Sequence, residues 1–386
     1  MIPYGKQEIN QQDLDAVLDV LTSDFLTQGP KVPAFEKTVA DYVGAKHGIA
    51  ANSATSALHI ACLALGVGPG DAVWTTPITF VASANCALYC GAAVDFVDVD
   101  SVTNNMSAVA LKEKLMRTKS NGQLIPKVVI PVHLTGLPCD MAAIHELSLE
   151  YGFKIIEDAS HAIGGRYLSK AVGACEYSDI TVFSFHPVKI ITTAEGGLAS
   201  TNSPDLAEKM ELYRSHGVTR NSSLMEGEAD GAWYYEQVAL GYNYRMTELQ
   251  AALGLSQMTR LDQFVAARHK LAERYLELLE GLPIKLPCYS NDSYSGLHLF
   301  VIRLELTKIN KTRKEVFDQL RQNGVGVNVH YIPVHTQPYY KEMGFKNGDF
   351  PIAEEYYSEA ISLPMFHLMT YEQQDQVVAV LKEVLG

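Results

Sequence analysis

The 386-residue chain predicts an α/β protein: a large, mostly parallel sheet with helices on both faces, followed by a smaller α+β part. Three observations carry this. Apolar runs bounded by turn residues alternate with amphipathic stretches through the first half of the chain, which is the pattern of successive βα units. One run, F-K-I-I-E-D-A-S-H-A, reads as a buried strand ending in Glu157 and Asp158. Carboxylates at the C-terminal edge of a strand mark the crevice where open α/β sheets bind ligands. Towards the end the pattern changes, and L-H-L-F-V-I-R-L and V-G-V-N-V-H-Y read as antiparallel strands with a helix around Val316 to Leu320 between them. A chain of this length exceeds one typical core, so a large domain over 1–260 and a small one over 261–386 are expected.

Taken in order, Asn10 can cap a helix in which Leu14, Val17, Leu18 and Leu21 recur at helical spacing. Asp24 to Pro30 is a loop. A second amphipathic helix carries Val32, Phe35, Val39 and Tyr42 and stops at Gly44. G-I-A-A-N-S-A-T-S-A-L-H-I is a strand running into a helix start. Exposed amides there form an anion cup, with Ser53, Thr55 and Ser56 as hydroxyl donors, although a serine-rich start also serves as a plain cap. The turn Gly68-Pro69-Gly70-Asp71 precedes the strand A-V-W-T-T-P, and Phe80 opens the next helix at the ligand edge of the sheet. V-D-F-V-D-V-D and K-V-V-I-P-V-H-L-T-G are two more strands. A helix with Met141, Ile144 and Leu147 leads to the strand that ends at Asp158.

Beyond Glu195-Gly196-Gly197 come a strand, a helix with Leu206, Met210 and Tyr213, and the loop R-S-H-G-V-T-R-N. The polar segment from Asn221 to Trp233 reads as a mobile loop. Helices start at Thr247 and run from about Leu261 to Glu280, and an amphipathic helix closes the chain.

Composition narrows the function. A formal charge of −13 argues against a nucleic-acid surface or an anionic membrane as partner. No apolar run approaches the roughly 20 residues that span a bilayer. M-I-P-Y-G-K-Q-E lacks the leader of a secreted protein, so a cytoplasmic location is expected. Cys62, Cys86, Cys90, Cys139, Cys175 and Cys288 form no C-x-x-C pair and read as reduced thiols, and no metal site is expected. A nicotinamide oxidoreductase would carry G-x-G-x-x-G after a strand. Here Gly66, Gly68 and Gly70 lie between a helix and the next strand, the wrong order for a dinucleotide loop.

The chemistry centres on F-S-F-H-P-V-K-I-I-T-T-A-E-G-G. Thr181, Val182 and Phe183 form a strand that reaches Ser184, and Pro187 stiffens the loop beyond it. Lys189 lies among Val188, Ile190 and Ile191, where poor solvation lowers its pKa and favours a nucleophilic amine. A lone lysine beside a strand is commonly a surface residue, so its neighbours decide. A free amine on a rigid loop suits an aldehyde cofactor, pyridoxal phosphate, and a carboxylate such as Asp158 suits the pyridine nitrogen of that cofactor. Asp158 alone would serve equally as a helix cap.

Together, E-D-A-S-H-A-I-G, F-S-F-H-P-V-K-I-I-T-T-A-E-G-G and G-Y-N-Y-R-M-T-E-L-Q-A-A-L-G resemble motifs of the DegT/DnrJ/EryC1/StrS sugar aminotransferases, over nearly the whole chain and in the same order. The resemblance implies a fold-type I enzyme using pyridoxal 5′-phosphate, with Lys189 as catalytic residue and cofactor anchor. It implies Ser53, Ala54, Thr55 and Ser184 around the phosphate, Phe80 stacked on the ring, Asp158 at the ring nitrogen and His161 beside the ring. Asn243 is implied to reach the phosphate held by the other subunit of a homodimer, so that the site is shared. Tyr4, Asp24, Phe25, Leu26 and Thr27, and Asn328, Val329, His330 and Tyr331, are implied to line the substrate site. The expected substrates are a UDP-4-keto amino sugar and L-glutamate.

Overall fold

The structure is a computed structural model that describes residues 1–289 and 292–386. The chain enters through α1 (Gln11–Leu21) and α2 (Lys31–Val43), then lays down β1 (His47–Ala51) and α3 (Ala54–Ala64). Three βα units follow: β2 (Ala72–Thr75) with α4 (Ala82–Tyr89), β3 (Ala93–Phe96) with α5 (Ala108–Ser120), and β4 (Val128–Ile130) with α6 (Met141–Tyr151). Next come β5 (Lys154–Asp158), the short pair β6 (Arg166–Tyr167) and β7 (Lys170–Ala171), then β8 (Ile180–Ser184) and β9 (Gly197–Thr201).

Seven of these strands form one sheet in the order β1-β9-β8-β5-β4-β2-β3. From β3 to β8 every neighbouring pair is parallel, while β9 runs antiparallel to both β8 and β1. The sheet is therefore mostly parallel with one reversed strand. All five residues of β8 and of β9 are buried, as expected for strands covered on both faces. Because β8 returns directly into β9, the connection that carries Lys189 sits at the C-terminal end of β8, beside the end of β5.

The chain continues through α7 (Pro204–Arg214), the short pair β10 (Val218–Thr219) and β11 (Glu236–Gln237), α8 (Glu248–Met258) and α9 (Leu261–Leu278). After β12 (Ile284–Lys285) and β13 (Ser293–Tyr294) come β14 (Phe300–Leu304), α10 (Arg313–Gln322), α11 (Pro338–Glu342), α12 (Pro351–Glu359), β15 (Ala360–Leu363) and α13 (Tyr371–Leu385). A second antiparallel sheet, β12-β14-β15, packs with α9, α10 and α13 around Tyr275, Phe300, Ile302 and Leu381.

The structure corrects one sequence expectation here. V-G-V-N-V-H-Y forms no regular strand: Val325 makes a single bridge to Ile2 and Asn328 one to Ser362. The strand antiparallel to β14 is β15, from A-I-S-L. An irregular path frees the side chains of 328–331 to turn inward towards the large sheet, which a pleated strand would alternate between two faces.

The helix capped by Asn10 forms as expected, with a complete capping box. Its apolar stripe faces outward, however: Leu14, Leu18 and Leu21 are each more than half exposed, whereas Asp13 is fully buried. Asp13 accepts hydrogen bonds from Arg260 Nη2 (2.6 Å) and Gln257 Nε2 (2.9 Å), and that polar anchor fixes the rotation of the helix.

Candidate active site

A cavity of about 590 Å3 opens where the C-terminal ends of β5 and β8 meet the start of α3 and the 328–331 segment. That size lies within the range of small-molecule and cofactor sites. Lys189 is half-buried on its wall, and among the described residues it makes no salt bridge. Burial pushes its ammonium down to about 8, with the nearby Asp158 charge opposing. The flanking Ile190 and Ile191 are buried, as the sequence pattern required.

Asp158 closes β5 with both carboxylate oxygens engaged. Oδ2 accepts from Ser83 Oγ at 2.6 Å, and Oδ1 accepts from the Ser160 amide at 3.1 Å and from Ser160 Oγ at 2.6 Å. The bond to the Ser160 amide is the local cap that the sequence left open. The bond to Ser83 comes from α4 and aims the group across the sheet edge. Thr79 Oγ1 stands 2.7 Å from Ser83 Oγ and extends the chain of hydroxyls.

The cup also forms. Ser53 caps α3 by accepting from the Ser56 amide at 3.1 Å, which leaves the Ala54 and Thr55 amides without a hydrogen-bond partner among the described residues. Ser184 lines the same end of the cavity. Gly197 lets β9 pass directly behind the helix start, where a Cβ would lie 2.5 Å from the Ala54 amide nitrogen. A weakly basic amine, a hydrogen-bonded carboxylate and a helix N-terminus with free amides thus share one cavity, and this donor set fits pyridoxal phosphate.

The remaining expected residues divide. Tyr4, Phe80, His161, Asn328, Val329, His330 and Tyr331 line the cavity. Phe80 is largely exposed, precedes the first turn of α4 and lies 6.4 Å from the Tyr331 ring. His330 is held uncharged, pushed down to about 3 by burial and by the charge of Lys189. Asp24, Phe25, Leu26 and Thr27 are exposed and lie outside the cavity of their own chain. The Leu26 carbonyl accepts the Glu248 amide (3.1 Å), and the Glu248 carboxylate caps the amides of Lys31 and Val32 at 2.6 and 3.1 Å, which ties this loop to α8. Asn243 is likewise exposed and outside the cavity, with its backbone bridged to Ser215.

Sequence reasoning missed Thr79, Ser83 and His298. Thr79, just before α4, and Ser83, in its first turn, are four apart, and their hydroxyls meet at 2.7 Å. His298 is buried, lines the cavity and has no hydrogen-bond partner for Nδ1 among the described residues; its motif L-H-L-F reads only as a strand. Ser83→Ala removes the one donor to Asp158 Oδ2 among the described residues, and the expected result is a loss of about 10- to 100-fold in turnover, checked by steady-state kinetics, with Ser83→Thr restoring most of it. Unchanged rates in Ser83→Ala would show that this contact does not matter.

Comparison with known proteins agrees with this geometry. The model of the DegT/DnrJ/EryC1/StrS aminotransferase family matches residues 7–382. The spore coat polysaccharide biosynthesis protein SpsC of Bacillus subtilis is 37% identical, over 100% of this chain and 97% of its own length. The UDP-4-amino-4,6-dideoxy-N-acetyl-β-L-altrosamine transaminase of Campylobacter jejuni is 35% identical, over 100% and 98%. Among solved structures, Helicobacter pylori PseC, an aminotransferase involved in the biosynthesis of pseudoaminic acid, superposes with a TM-score of 0.90 at 30% identity, over 100% of this chain and 99% of that one. A helix start with free amides, the amine of Lys189 and the carboxylate of Asp158 therefore sit in a chain that belongs to the DegT/DnrJ/EryC1/StrS family, the pyridoxal-phosphate-dependent sugar aminotransferases.

Proposed function

We propose that the enzyme transfers an amino group from L-glutamate to C4 of a UDP-4-keto-6-deoxy-N-acetylamino sugar, giving UDP-4-amino-4,6-dideoxy-N-acetyl-β-L-altrosamine for pseudaminic acid biosynthesis. The convergence of Lys189, Asp158 and the α3 amides on one cavity carries the aminotransfer. D-F-L-T-Q-G-P and R-S-H-G-V-T-R, with the Campylobacter and Helicobacter relatives, support this sugar.

In this reading Lys189 anchors the cofactor, the Ala54 and Thr55 amides with Ser53 and Ser184 hold its phosphate, Phe80 covers its ring and Asp158 keeps the ring nitrogen protonated. Bound there, the cofactor supplies an aldehyde that passes on an amino group and a ring that delocalises the electrons of the bond broken at the donor carbon. Lys189, with a pKa of about 8, is close to the working pH and moves the proton at that carbon. Tyr4 and Asn328 to His330 contact the sugar or its nucleotide. A related 4-keto sugar with another nucleotide is the second reading, since the spore-coat relative is named for a different polysaccharide. Assaying a panel of UDP- and dTDP-4-keto sugars with glutamate tests both: the reading predicts preference for the UDP-N-acetyl ketone, and preference for a dTDP sugar would overturn it.

The active site is proposed to be shared between two subunits. Asn243 is exposed and does not line its own cavity, and Leu14, Leu18, Leu21, Phe25 and Leu26 are exposed apolar residues suited to association. Asn243 of each subunit, with Asp24 to Thr27, would then serve the other subunit's site. Mixing Asn243→Ala with Lys189→Ala chains is expected to restore activity above either variant alone, because some heterodimers regain one intact site. No gain after verified subunit exchange would show that Asn243 does not act across the interface.

A further inference from the structure

The hydrogen bonds of His161 fix the direction in which it donates. Its Nδ1 accepts the Thr135 amide hydrogen at 3.2 Å, so that nitrogen carries a lone pair and a neutral ring holds its one hydrogen on Nε2. Nε2 lies 3.0 Å from Tyr331 Oη and donates to it. Tyr331 Oη makes no other hydrogen bond among the described residues, and Tyr331 lines the cavity, so its own hydrogen is free to point inward. Burial, with the charge of Lys189, holds His161 well below the usual imidazole range. Burial and the Asp158 charge raise the Tyr331 phenol, which keeps its hydrogen.

The start of this chain is built at the cost of an unusual backbone. Thr135 has φ 62°, a region that β-branched residues rarely adopt. It is held there from the C-terminal side, where the Leu299 amide donates to the Thr135 carbonyl at 3.2 Å and the Gly296 amide to the Gly136 carbonyl at 2.9 Å. A Cβ on Gly136 would lie 2.7 Å from the Leu297 nitrogen, so the close approach of the two segments requires glycine there. The strained turn therefore aims one amide at His161, and strain of this kind recurs where a site depends on it.

We infer that Thr135, His161 and Tyr331 form a directed hydrogen-bond chain that makes Tyr331 the donor to the ketone oxygen of the acceptor sugar, with His161 as its positioning residue. This rests on the aminotransferase reading above. Making C4–N from C4=O removes the oxygen as water, so that oxygen gains from a donor facing it, and a neutral phenol polarises a neutral carbonyl without the desolvation that a second cation would need. Tyr331 stands with Asn328, Val329 and His330 on the wall supplied by the C-terminal part of the chain, whereas Asp158, Ser184 and the α3 amides belong to the large sheet.

The two half-reactions separate this role from others. Tyr331→Phe is expected to slow amination of the keto sugar about 100-fold while leaving the glutamate half-reaction within about threefold. His161→Phe, which cannot orient the phenol, is expected to slow amination of the keto sugar by a similar factor. Equal losses in both half-reactions would overturn the ketone assignment and place the phenol at the cofactor. Independently of activity, 15N NMR of the cofactor-free protein at neutral pH is expected to find His161 protonated at Nε2 only, with that signal moving in Tyr331→Phe. A hydrogen on Nδ1 would overturn the chain itself. If the wild type aminates no keto sugar, the functional reading fails while the NMR result still decides the chain.

Discussion

Lys189→Ala is expected to lose covalent attachment of the cofactor and to reduce turnover by at least about 10^4, because a general base and the anchoring nucleophile vanish together. The amides of Ala54 and Thr55 remain, so the variant still retains the cofactor, more loosely. Borohydride reduction followed by peptide mapping checks this: the label should fall on Lys189 in the wild type and be absent from the variant. Label on any other lysine would remove Lys189 from the mechanism. The pH dependence follows in sign from its burial. With a pKa of about 8 the amine is half unprotonated near pH 8, whereas a surface lysine reaches that point near 10.4, so attachment should slow as pH falls through 8 and level off above it.

Asp158→Asn is expected to leave the fold intact and to cost on the order of 10^3 or more in the glutamate half-reaction, since an uncharged amide cannot hold a proton on the ring nitrogen. The fold should survive because the hydroxyls of Ser83 and Ser160, which now donate to the carboxylate, can rotate and accept from an amide instead. Circular dichroism and single-turnover absorbance measure the two parts separately. Near-normal turnover in a folded variant would leave Asp158 only its capping bond to Ser160.

The βα alternation, the strand ends at Asp158 and Ser184, and the capped start of α3 were legible because each depends on residues close in sequence. Lys189 stood out because apolar residues flank it in sequence, and burial does lower its pKa. What escaped depends on distant partners. Nothing in Q-Q-D-L-D-A-V-L-D-V-L tells that Asp13 rather than Leu14 turns inward, since that is decided by Arg260 and Gln257. The bond from Ser83 to Asp158 and the contact of His161 with Tyr331 join segments separated by 75 and 170 positions, and neither residue of either pair announces the other. V-G-V-N-V-H-Y had the composition of a strand, yet its backbone partners are single bridges to Ile2 and Ser362, and its side chains serve the cavity.

The pairing of Ala51 with Gly197 constrains how the protein matures. Gly197 backs the Ala54 amide, so the start of α3 lacks its rear wall until nearly 150 further residues have left the ribosome. During synthesis β1 and α3 must wait, with their apolar faces exposed to chaperones or to the nascent βα units, for a strand that returns from far downstream. Cofactor capture then reports late assembly: nascent chains arrested before Gly197 emerges should bind no pyridoxal phosphate, and chains released just after β9 should be the earliest that can.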